Sequence, residues 1–254
     1  MAPHLAERLE RWNAEETEAG VPSESRSFLI APGGAAPDVL VLHGAGGGPH
    51  DLRDLAEDLA RSGHRCLCPL LPAHGRGPVA LGGLRFEDLR RRALACYDVI
   101  ASAGDAPFVV AQSFGVVLGI HLAIERPVPA LVALAPALRP FVTGRALWLL
   151  PLALVRPRLA LATYRWQMEA RRAIETTRPL VARVACPLLV LHSTDDRSVS
   201  PRGARELFED AGSQRKELEL LEGQGHVLSE APHREELVFS PVRSFLDSVY
   251  CSGS

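Results

Sequence analysis

The chain reads as an α/β protein built on a mostly parallel, doubly wound sheet. Three observations predict this. Short Val- and Leu-rich runs recur along the chain, helical periodicities separate them, and the runs are continuously apolar, as strands covered on both faces are. With 254 residues, 47% of them hydrophobic, the chain can bury one large core, so a single domain over residues 1–254 is expected.

In chain order, Met1 to Glu18 comes first and places Leu5, Leu9 and Trp12 on one helical face, which predicts a short amphipathic helix that packs on the body or frays. The segment is charged, is broken by Pro3 and has no apolar h-region, so it does not read as a secretory signal. Strands are predicted near Ser27 to Ala31, Val39 to His43, Arg65 to Leu70, Phe108 to Gln112, Leu131 to Ala135, Leu188 to His192 and Glu217 to Leu221. Between them fall helices near Leu52 to Ser62, Phe86 to Ala103, Phe114 to Glu125 and Arg202 to Ala211, with a terminal helix within Glu235 to Val249. The stretch from Leu138 to Arg183 breaks this alternation: it is helical in period and punctuated by Pro140, Pro151 and Pro157. Its longest apolar run, Ala146 to Val155, is too short to span a bilayer and contains Pro151.

Four motifs sit at strand ends. Val109 and Val110 lead into Ala111, Gln112, Ser113, Phe114 and Gly115, followed by the mostly apolar run Val116 to Ile124. That pattern is a strand, a tight turn and a helix presenting a serine, with small residues two positions to either side because strand and helix pass so closely. Asp195 and Asp196 follow the strand ending at His192, and His226 lies in a glycine-flanked loop after the strand ending at Leu221. A serine hydroxyl is barely ionised at neutral pH, so an imidazole must take its proton as it attacks a carbonyl, and an acid must orient the imidazole. His43-Gly44-Ala45-Gly46-Gly47-Gly48 follows the strand Val39 to Leu42 and supplies backbone amides for an oxyanion. The donors assigned are the amides of Ala45 and Phe114.

The order serine, acid, histidine, the glycine-rich His43 to Gly48, Pro72-Ala73-His74-Gly75, Asp196 with Pro201 after it, and Gly225-His226-Val227-Leu228 resemble the α/β-hydrolases. Within them the chain is similar to the small-capped bacterial carboxylesterases and monoacylglycerol lipases, over roughly Val39 to Leu246. The resemblance implies an esterase with a helical cap over about 138–183, no cofactor, and Asp196 rather than Asp195 as the acid beside Ser113 and His226. Ala111 stands for the usual first glycine of the turn. Ala45 stands where many such esterases carry Phe, which bears on the shape of the acyl pocket. Leu147, Leu150 and Leu154, spaced three and four apart, are candidates for an apolar acyl wall, against the plainer reading that they pack cap onto body.

Other classes fit less well. A net charge of -2 gives no general attraction to nucleic acid or to an anionic membrane. Lys216 is the only lysine and lies in no glycine-rich loop, which excludes a P-loop NTPase and argues against a Schiff-base enzyme. Gly44-Ala45-Gly46 could open a dinucleotide turn, but Pro49 takes the third glycine's place and no acid ends the next strand. His192 and His226 with the two aspartates lack metal-ligand spacing, so no metal is expected. His43 and His74 read as braces between loops. Five cysteines, four of them in apolar segments, fit buried thiols and a cytoplasmic location. The expected function is a serine carboxylesterase for small to medium acyl esters, monoacylglycerols among the candidates. Acyl thioesters or carbon-carbon bonds are alternative substrates for the same residues. A non-catalytic binding protein on the same scaffold is the rival from another class.

Overall fold

The computed structural model describes residues 3–31, 36–141 and 156–253. Seven strands form one sheet: β1 (Phe28–Ile30), β2 (Val39–Leu42), β3 (Cys66–Cys68), β4 (Phe108–Gln112), β5 (Leu131–Leu134), β6 (Leu188–Ser193) and β7 (Lys216–Leu221). Their spatial order is β1-β3-β2-β4-β5-β6-β7, with β1 antiparallel to β3 and every other pair parallel. The order doubles back about β2, so helices cover both faces.

Every residue of β2, β4, β5 and β6 is buried, the apolar runs as a doubly covered sheet requires and, with them, the polar Gln112, His192 and Ser193 at the carboxyl ends of β4 and β6. Alternate side chains feed two layers. Leu40, Leu42, Val109, Ala111, Leu131 and Val190 face a core shared with α4 (Phe86–Ala101) and α5 (Phe114–Glu125). Val39, Val41, Val110, Val132 and Leu191 face the opposite layer, built from α2 (Arg53–Arg61) and the terminal α8 (Ser240–Gly253).

The N-terminal helix α1 (Pro3–Glu18) packs rather than frays. It buries Leu5 and Trp12, the Arg92 guanidinium lies 4.0 Å above the Trp12 ring, and Glu16 accepts from the Ser27 amide at 2.7 Å. A single turn, α3 (Pro78–Leu81), ends at Gly82, where an added Cβ would stand 2.5 Å from Ala162 on α6 (Pro157–Thr177). α6 is further tied to the body through Glu169, which accepts from the Phe86 amide at 2.8 Å at the start of α4. Between β6 and β7 in the chain lies α7 (Pro201–Asp210).

Two element ends differ from the sequence reading. β3 stops at Cys68 because Pro69 has no amide for the ladder, and the next two amides go to side chains: Leu70 to Ser27 Oγ and Leu71 to His43 Nε2. The terminal helix takes one wide π turn over Glu235–Phe239 and then runs to Gly253. Pro241, without an amide, marks the change of spacing.

Candidate active site

The carboxyl ends of β2, β4, β6 and β7 converge on one side of the sheet. Gln112 ends β4, Phe114 opens α5, and Ser113 between them is forced to φ 55°, ψ −119°. Few non-glycine residues hold such a backbone, and here it is fixed on both sides: the Ser113 amide donates to Leu134 at 2.8 Å and its carbonyl accepts from Ala137 at 3.2 Å. The turn is tight enough that an added Cβ at Gly115 would stand 2.6 Å from the Leu42 carbonyl and 2.7 Å from that of His43. At the other end of the elbow the Ala111 methyl is accommodated because Gly119, one turn along α5, has no side chain to meet it.

Ser113 Oγ lies 3.0 Å from His226 Nε2, and His226 Nδ1 lies 2.6 Å from Asp196 Oδ2. Asp196 is buried, and its Oδ1 accepts from the amides of Ser198 at 2.7 Å and Val199 at 3.0 Å. Burial alone would raise its pKa. The hydrogen bonds from His226, Val199 and Ser198 outweigh that and hold the carboxyl below its usual range. Asp195 points elsewhere. It is exposed, accepts from the hydroxyl of Ser193 and, at 3.4 Å, from the Gly225 amide, and so braces the two loops against each other.

The glycine-rich loop crosses beside the serine. A Cβ at Gly44 would lie 3.0 Å from Ser113 Cβ, and Ala45, next along, is exposed at the rim. The Phe114 amide is the first of α5 and has no acceptor inside its own helix. His43 holds this loop in place: its Nδ1 donates to the Gly44 carbonyl at 2.8 Å while Nε2 accepts from the Leu71 amide at 3.0 Å. That pairing requires a neutral ring, and burial, helped by nearby His74, pushes its pKa down to about 3. His74 stacks edge-on against His43 at 4.9 Å and donates from Nδ1 to Pro72 at 2.9 Å.

Several residues at the site were not singled out in the sequence. Gln112, buried beneath the serine, accepts from the Ser229 hydroxyl at 3.1 Å and so joins the strand of Ser113 to the loop of His226. A tandem of small and amide residues gives no periodic signal for such a tie. Trp166 of α6 meets Phe114 at 5.4 Å and His74 at 6.4 Å, and Phe86 meets Phe114 at 6.2 Å, forming an aromatic rim beside the serine turn. Leu147, Leu150 and Leu154 lie outside the described residues. Among the described residues no group of acidic, histidine and cysteine side chains could hold a metal ion, and no helix is long and apolar enough to cross a membrane.

Residues 37–156 match a family profile described as alpha/beta hydrolase fold, and residues 156–231 match one described as serine aminopeptidase, S33. A thermostable monoacylglycerol lipase of Bacillus sp. (strain H-257) is 28% identical over 205 residues, spanning 74% of this chain and 82% of that protein. Among solved structures, a metagenome-derived lipolytic enzyme superposes with a TM-score of 0.76 at 23% identity, covering 90% of this chain and 99% of the other. A monoacylglycerol lipase of Paleococcus ferrophilus gives 0.67 at 21% identity, covering 87% and 98%.

Proposed function

We propose that this chain, an α/β-hydrolase resembling monoacylglycerol lipases and esterases, is a serine carboxylesterase acting on small to medium acyl esters, with monoacylglycerols as candidate substrates. The observation that carries this is the continuous chain Ser113 Oγ, His226, Asp196 at the carboxyl edge of the sheet, with the glycine-rich loop alongside. In this reading His226 Nε2 takes the Ser113 proton as Oγ attacks the ester carbonyl. Asp196 holds the Nδ1–H tautomer and stabilises the imidazolium. The amides of Ala45 and Phe114 receive the oxyanion, a service whose loss typically lowers the rate about 10²- to 10³-fold per donor. His226 then returns the proton to the leaving alcohol, and water, activated by the same imidazole, releases the acid from the acyl-serine.

The body over 1–254 with a cap within about 138–183 belongs to the same proposal, and α6 is the long helix among the described residues of that cap. An acyl wall from Leu147, Leu150 and Leu154 rests on their spacing alone. The test is a panel of acyl esters and acyl thioesters assayed on the wild type and on Ser113→Ala. Ester turnover should fall by about 10⁴-fold or more in a variant that remains folded. A folded Ser113→Ala protein retaining a substantial share of wild-type turnover would remove the nucleophile assignment, and a preference for thioesters would move the substrate class.

A further inference from the structure

One buried titratable group at the site has no part in the steps above. His192, next to last in β6, is fully buried four residues before Asp196. Its Nε2 donates to the Val199 carbonyl at 3.3 Å and lies 3.5 Å from Asp196 Oδ2, the same oxygen that meets His226 Nδ1. Val199 in turn gives its amide to Asp196 Oδ1 at 3.0 Å. The opposite ring nitrogen, Nδ1, is buried without a hydrogen-bond partner. An orphaned buried nitrogen is destabilising, and a leucine or phenylalanine in this place would avoid it. The residue type is therefore accounted for by its Nε2 edge.

We infer that His192 is a positioning residue for the proposed triad: its Nε2–H pins the Val199 peptide and sets a further N–H dipole toward Asp196 Oδ2, so that the carboxylate keeps one orientation toward His226. The inference rests on the esterase reading. The titratable groups facing the ring are Asp196 and His226. Burial pushes His192 below the usual imidazole range despite the opposing pull of Asp196 and the Val199 carbonyl, so it acts as a neutral donor. Without it, Asp196 loses a neighbouring dipole and a fixed amide, and its carboxylate becomes more basic. A more basic carboxylate holds the His226 imidazolium more tightly, which moves the acid limb of the rate profile to higher pH.

Glutamine and asparagine separate this role from simple packing, because Gln places its amide nitrogen near the position of Nε2 and Asn near that of Nδ1. The experiment measures kcat and KM for p-nitrophenyl butyrate from about pH 5 to 9 on wild type, His192→Gln, His192→Asn and His192→Leu, with thermal unfolding of each. His192→Gln should stay within about threefold of wild type. His192→Asn and His192→Leu should lose about tenfold in kcat at little-changed KM, with the acid limb raised by about half a pH unit. Folded Asn or Leu variants with the wild-type rate and profile, or Gln and Asn variants that cannot be told apart, would overturn the inference. If the Leu variant does not fold, the contrast between Gln and Asn decides. A wild type that hydrolyses no ester would overturn the esterase reading and this inference together, whereas an active wild type with a failed contrast would remove the inference alone.

Discussion

At the scale of the residue, neighbouring aspartates have separate duties. Asp196 is buried against His226 and two amides, while Asp195 is exposed and ties Ser193 to Gly225. Asp196→Asn should therefore lower ester turnover by about 10⁴-fold through a misoriented imidazole, and Asp195→Asn by less than about tenfold. Steady-state kinetics of the two variants check the ranking, and the reverse order would show that the acid had been misassigned. His43 gives a prediction for stability. Its folded pKa of about 3 lies below the unfolded value, so between the two the unfolded chain binds a proton that the native protein refuses. Its contribution is intact above about pH 6.5 and is lost progressively as pH falls toward about 3, amounting to about 2 kcal/mol between pH 7 and pH 5. Urea midpoints should fall accordingly, and His43→Gln, whose amide oxygen can still accept from Leu71, should flatten the slope. An unchanged slope in that variant would assign the acid sensitivity elsewhere.

At the scale of the element, the serine turn depends on how closely β2, β4 and α5 approach. Gly115→Ala drives a methyl into the carbonyls of Leu42 and His43 and should cost about 2 kcal/mol or more, lowering Tm by about 4–8 °C. Gly83→Ala, at an exposed position open on all sides, should stay within about 0.5 kcal/mol, and differential scanning calorimetry of the pair separates close packing from a general intolerance of glycine replacement. Strands and helices were legible because their residues report their own environment: the apolar runs of β2, β4, β5 and β6 are buried on both faces, and the alternation with helices is local. Ends were less legible. Pro69 cuts β3 short and Pro241 changes the spacing before α8, effects that depend on which carbonyl would have received the missing amide. At the site, strand ends and glycine flanks pointed to Ser113, to the Asp195-Asp196 pair and to His226, and the choice of Asp196 came from the family resemblance. Gln112 and His192 were not, because what each touches, Ser229 and Val199, is settled by tertiary placement rather than by any spacing in the chain.

At the scale of the whole molecule, the sheet gathers loops from four strand ends onto one side, and α6 lies over that side with Trp166 against Phe114. If the cap supplies an acyl wall, each added methylene should gain up to about 0.8 kcal/mol in transition-state binding until the space is filled. In a p-nitrophenyl ester series below micelle-forming concentrations, kcat/KM should rise from acetate to a middle chain length and then fall. Leu→Phe at 147, 150 or 154 should move the optimum to shorter chains, whereas acetate as best substrate with no variant shifting the profile would reduce the run to packing. The central claim, that Ser113 is an activated nucleophile, has a more direct test. Treatment with a fluorophosphonate followed by intact-mass and peptide analysis should give one stoichiometric adduct, carried by Ser113, and none after Ser113→Ala. An unlabelled native protein, or an adduct mapped to any other residue, would contradict it.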